Sequence, residues 1–155
     1  MKLGTSKLSL ELIMWLFTAV LVVLVLLPIY FSIDAYPFYF SNTLFIIVFI
    51  TFARYIFLLK HTAVAHSLIF KVAMMVAAIP IIMYLVDSVS VFQGFADDIG
   101  LETLVSDLTL SKQKAIMKYV RTEMIFFGVG SVIVAILFPF RMLVSIWRGI
   151  NKNTV

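Results

Sequence analysis

The sequence predicts an all-α integral membrane protein. The expected fold is a four-transmembrane-helix bundle, N-in/C-in, with a short amphipathic helix in the outer loop between spans 3 and 4. Three observations predict it. First, 63% of the 155 residues are hydrophobic and only 13% are charged, whereas soluble domains run near 45–50% apolar and about 25% charged. Second, residues 12–33 form an unbroken run without a charged side chain, which as a helix reaches roughly 33 Å, enough for a bilayer core. Third, nothing alternates polar with apolar. Unpaired backbone groups are too costly in hydrocarbon, so a spanning segment is a helix or a barrel strand, and barrel strands alternate.

The spans are expected at 12–33, 40–59, 68–91 and 119–146, in a single membrane domain covering residues 1–155 with an outer loop at 92–118. Span 1 ends near Pro28 and the Asp34, Pro37 turn. Lys2 and Lys7 before an apolar run resemble a signal peptide, but the run exceeds a typical h-region and no A-x-A site follows. An uncleaved first span is expected. The start MKLG does not offer the Met-Gly of a myristoylation signal.

Lysine and arginine beside the span ends set orientation. They fall at Lys2 and Lys7, at Arg54, Lys60 and Lys71, and at Arg141, Arg148 and Lys152, so these three segments are assigned to the cytoplasmic side. Asp34 stands alone in the first outer loop, and Asp97, Asp98, Glu102 and Asp107 open the second. In a bacterium the chain would lie in the inner membrane. Trp15 and Trp147 fall at the inner interface, and Tyr30, Tyr36 and Tyr39 at the outer one, as an aromatic belt.

In the second outer loop Leu101, Leu104, Val105 and Leu108 fall at i, i+3, i+4 and i+7, the stripe of a short amphipathic helix. Ser111 is positioned to cap a helix starting at Lys112 and running into span 4. That places Lys112, Lys114, Lys118 and Arg121 near a helix N-terminus, where the macrodipole opposes them. The four acids just before are expected to offset them, making the loop a self-neutralising cap. The alternative is a ledge for a partner. The acids lack the regular spacing of a calcium loop.

Charges inside spans are costly and mark candidate functional positions. Arg54 lies about five residues from the inner end of span 2, and is expected either to snorkel or to turn into the bundle. Glu11 is its one obvious partner. On the outer half, Asp87 is expected to pair with Arg121, pinning spans 3 and 4, with Glu123 a second acid at similar depth. A proton or cation relay through Asp87 and Glu123 is the competing possibility. Pro80, near the middle of span 3, is expected to kink it. Pro28 and Pro139 interrupt spans 1 and 4. Gly128, Gly130 and Ser131 form a small-residue patch suited to close helix packing, with a narrow pore lining as the alternative.

A catalytic constellation is not found. There is no cysteine, no H-E-x-x-H, no G-x-S-x-G and no glycine-rich phosphate loop. His61 and His66 are five apart, roughly 140° around a helix, which is the wrong spacing for a shared metal. No cofactor, metal or nucleic acid is therefore expected. The expected partners are the bilayer, other membrane subunits or further copies of this chain, with anionic lipid possible at Arg54, Lys60, Lys71, Arg141 and Arg148. A small non-enzymatic accessory or scaffold subunit of a larger membrane complex is the first expectation. A homo-oligomeric channel or small transporter using Arg54, Asp87 and Glu123 is the second.

Overall fold

The computed structural model describes residues 2–59 and 68–151. It is all-helical. Its elements are α1 (Lys2–Tyr30), α2 (Tyr39–Leu58), α3 (Leu68–Gly94), a π-helical turn (Phe95–Gly100), a 3₁₀ turn (Leu101–Leu104) and α4 (Leu110–Asn151). Lys60, His61, His66 and Lys152, all weighed from sequence, lie outside the described residues. The four α-helices are each long and apolar enough to cross a membrane.

Side-chain contacts fix the helix directions. Glu11 meets Arg54, Tyr119 meets Val25, Asn42 meets Glu123, and Arg141 meets Ile56. Phe38 packs against Phe92. Helices α2 and α4 therefore run parallel, and α1 and α3 run opposite to them. Helix α4 is the hub, packing along both α2 and α3, while α2 and α3 barely meet and α1 leans mainly on α2.

The sequence of α4 explains that role. Its buried residues include Val120, Met124, Gly128, Ser131, Ala135, Phe138 and Met142, spaced by three or four, which is one helical face. Opposite them stand Phe45, Ile46 and Phe52 of α2 and Leu85 of α3, each no more than 5% exposed. Phe52 stacks on Phe138 with ring centroids 4.5 Å apart and planes 12° apart. Helix α1 has no comparable face. Leu12, Ile13, Leu16, Phe17, Val20, Val23 and Leu24 are all exposed, as suits a helix whose solvent on most sides is hydrocarbon.

Glycines at 128 and 130 let the helices close. A Cβ on Gly128 would sit 2.9 Å from a Val89 methyl and 3.2 Å from the Phe45 ring. One on Gly130 would sit 2.9 Å from the Phe49 ring. Phe45 is fully buried, whereas Phe49 is only half-buried and has room to turn. Gly128→Ala is therefore expected to cost about 1–3 kcal/mol through overpacking, and Gly130→Ala less. Thermal unfolding in detergent gives the ordering, and equal midpoints for both variants would contradict it.

The connection between α3 and α4 differs from expectation. In place of an amphipathic α-helix there is a π turn, then one 3₁₀ turn. Gly100 separates them at φ 85° and ψ 139°, a conformation that side chains disfavour, so no single helix runs through. The apolar stripe still faces inward: Leu101 and Val105 are buried, and Leu104 and Leu108 pack against the core. Helix α4 begins at Leu110 rather than Lys112, with the Gln113 N–H donating to the Thr109 carbonyl, so the cap falls two residues before Ser111. Helix α3 continues as one element through Pro80.

The aromatic residues between α1 and α2 also depart from a simple belt. Tyr30 is exposed, but Tyr36 and Phe38 are buried. Their rings meet Tyr39, Phe92 and Phe95 edge-on at 5.0–5.8 Å. These contacts close that end of the bundle.

Candidate functional site: two buried polar clusters

The first cluster lies where α1 begins and α2 ends. Arg54 is 6% exposed, and its Nη2 donates to Glu11 Oε2 and to the Tyr55 hydroxyl, both at 3.1 Å. The guanidinium carbon lies 4.8 Å from the Tyr55 ring centroid and 5.8 Å from that of Trp15. Arg54 thus turns into the protein instead of snorkelling outward. Its Nε has no hydrogen-bond partner among the described residues. Nearby, Arg141 Nε donates to the Ile56 carbonyl at 3.0 Å, satisfying one of the acceptors orphaned at a helix C-terminus. Lys71 is buried and Arg148 exposed.

The second cluster lies at the other end, on α2, α4 and the turn between α1 and α2. Asn42 is fully buried, and its Nδ2 donates to Glu123 Oε2 at 2.9 Å. Glu123 is 7% exposed and Tyr36 4%. Burial pushes the Tyr36 hydroxyl above the ordinary phenol range; the nearby Glu123 carboxylate adds to this and the Asn42 amide opposes it. Three atoms here have no hydrogen-bond partner among the described residues: the Tyr36 hydroxyl, Asn42 Oδ1 and Glu123 Oε1. Unmet buried polar atoms are rare in native proteins. One turn before Glu123, the Tyr119 hydroxyl donates to the Val25 carbonyl at 2.8 Å and ties α1 to α4.

The expected Asp87–Arg121 pair does not form. Arg121 Nη2 instead meets Asp97 Oδ1 at 3.5 Å, with both side chains more than half exposed. The π turn brings Asp97 to Arg121, about three turns into α4 and beyond the reach of the dipole at its start. Asp87 is exposed on α3 and makes no ion pair among the described residues. Asp87 and Glu123 are therefore on different surfaces, one exposed and one buried. Ser131 is fully buried, its hydroxyl donating to the Gly128 carbonyl at 2.7 Å.

Asn42, Tyr36 and Tyr119 are the functional candidates that sequence reasoning missed. A lone asparagine in the first turn of a hydrophobic helix was the available signal, since a buried amide needs a polar partner. Among the described residues, no three His, Asp or Glu side chains gather at metal-ligand spacing. No family model, curated protein or solved structure matches this chain.

Proposed function

We propose that this chain is a non-enzymatic polytopic membrane protein that serves as a structural or accessory subunit of a larger membrane assembly. Asp87 carries the proposal. It projects from α3 among the exposed apolar side chains Met83, Val86 and Val91, about two turns before the helix ends at Gly94. An aspartate is too short to snorkel far, and a carboxylate at membrane depth needs a partner. A second polypeptide lying along α3, with a cation or hydrogen-bond donor facing Asp87, supplies one.

The interior supports a scaffold over a conduit. Between the two polar clusters the bundle is filled by Phe45, Phe52, Met124, Ala135 and Phe138, all at most 5% exposed. Among the described residues, a single copy therefore offers no continuous polar path between the two clusters. The proposed orientation is the one the charges suggest: Arg54, Lys71, Arg141 and Arg148 lie at the end assigned to the cytoplasm, and at the other end Asp34, Asp97, Asp98, Glu102 and Asp107 stand beside Lys112, Lys114, Lys118 and Arg121. In a bacterium this is the inner membrane. Arg54 is already committed to Glu11 and Lys71 is buried, so the exposed Arg148 is the better placed for anionic lipid.

Native mass spectrometry of protein gently extracted from its own membrane tests the proposal. The expected species contains this chain and at least one different polypeptide, and Asp87→Lys releases the chain from it. A homo-oligomer alone would favour the channel, and a monomer would remove both.

A further inference from the structure

Beside Glu123 a groove of about 250 Å³ runs between α1 and α4, walled by Val25, Tyr119, Thr122, Glu123, Phe126 and Phe127. It is smaller than the roughly 300–1,000 Å³ of a drug-sized site, and suits a headgroup or a short chain. Its exposed walls are almost wholly aliphatic and aromatic, with the Glu123 carboxylate buried behind them. The Tyr119 hydroxyl is already used by the Val25 carbonyl. Glu123 Oε1 is not used by any described residue.

The charge balance is equally one-sided. No cation lies within ion-pair distance of Glu123 among the described residues. Arg121, two residues away, is turned to Asp97, and Lys118 is exposed. A buried carboxylate without a counter-charge is costly. A groove that is apolar and aromatic at its wall, with a carboxylate buried just behind it, selects a cation carrying apolar substituents, because aromatic faces attract ammonium groups as well.

We propose that this groove binds the ammonium group of an amphiphilic amine, with Glu123 as counter-ion and Tyr119, Phe126 and Phe127 as the apolar and aromatic surround. Glu123 Oε1 is shielded from solvent, so the carboxylate turns toward the groove as the amine enters. Its Oε2 and the Asn42 amide hold the remainder of the side chain. The ammonium can come from an amine-headed lipid or from a free amine; the recognition chemistry is the same.

The test uses the full-length protein in an uncharged maltoside detergent, titrated with dodecylammonium, dodecanol or dodecyl sulfate and followed by thermal unfolding and native mass spectrometry. Dodecylammonium is expected to form a one-to-one adduct and to bind about ten-fold more tightly than dodecanol, the difference that roughly 1.4 kcal/mol of charge recognition confers. Glu123→Gln, which keeps the acceptor for Asn42, is expected to abolish the preference. Thr122→Phe, which fills the groove from an exposed position and leaves Glu123 in place, is expected to do the same should the first variant not fold. Retention of one ethanolamine-headed lipid by the wild type and not by the variants identifies a lipid source. Dodecylammonium binding without retained lipid identifies a free amine. Equal binding of dodecylammonium and dodecanol, or a preference that survives both substitutions, overturns the proposal.

Discussion

Glu11→Ala is expected to destabilise the bundle by about 3 kcal/mol, the lower end of the cost of breaking a buried ion pair from one side. Arg54 carries the reason. Its side chain is 4% exposed, with Nε already without a hydrogen bond among the described residues. Among the described residues, loss of Glu11 leaves the guanidinium the Tyr55 hydroxyl and two ring faces, and a cation–π contact is worth about 0.5–2 kcal/mol. Arg54→Met is expected to cost less, because Glu11 is 17% exposed, lies nearer the helix start and keeps a further interaction. The double variant Glu11→Leu/Arg54→Met is expected to recover most of the loss, since well-packed apolar residues often match a buried ion pair. Unfolding of all four proteins in lipid nanodiscs closes the cycle. A Glu11→Ala effect under about 0.5 kcal/mol, the level of exposed pairs, would mean that Arg54 reaches the interface in the bilayer after all.

The helices were legible because hydrophobicity without alternation admits little else in lipid, and the charge-free core of α1 shows this best. The Glu11–Arg54 contact was legible too, since two opposite charges at the same depth of adjacent antiparallel helices have few other partners. The Asp87–Arg121 expectation failed for a definable reason. Depth along a span is readable from sequence, but rotation about the helix axis is not. Asp87 lies on the outward face of α3, while the buried face carries Leu85, Ser88 and Phe92. The turn that delivers Asp97 to Arg121 depends on a π turn and on Gly100 at positive φ, neither of which has a periodicity to detect. Asn42 was hidden for a third reason: its significance depends on Glu123, 81 residues away.

That separation makes Asn42 the second position at which a single substitution should weigh heavily. Asn42→Leu keeps the approximate volume at a fully buried position but removes the donor to Glu123 Oε2. With Oε1 unmet as well, the carboxylate would have no hydrogen bond from the described residues. A hydrogen bond to a charged group contributes about 1.5–3 kcal/mol, so a loss of about 2 kcal/mol is expected. Because the site is buried, added salt should change that loss little. Glu123→Gln should behave oppositely, since glutamine still accepts from Asn42 and leaves no charge to bury. Its stability is expected to equal or exceed that of the parent. The pair Asn42→Leu/Glu123→Leu should also recover stability, as replacing both partners of a buried interaction can be nearly neutral. Hydrogen exchange distinguishes this from a general packing defect. The turn at residues 31–38, which holds Tyr36 over the pair, should lose protection in Asn42→Leu and retain it in the double variant. If Asn42→Leu were as stable as the parent with the turn equally protected, the Asn42–Glu123 bond would not hold α2 to α4.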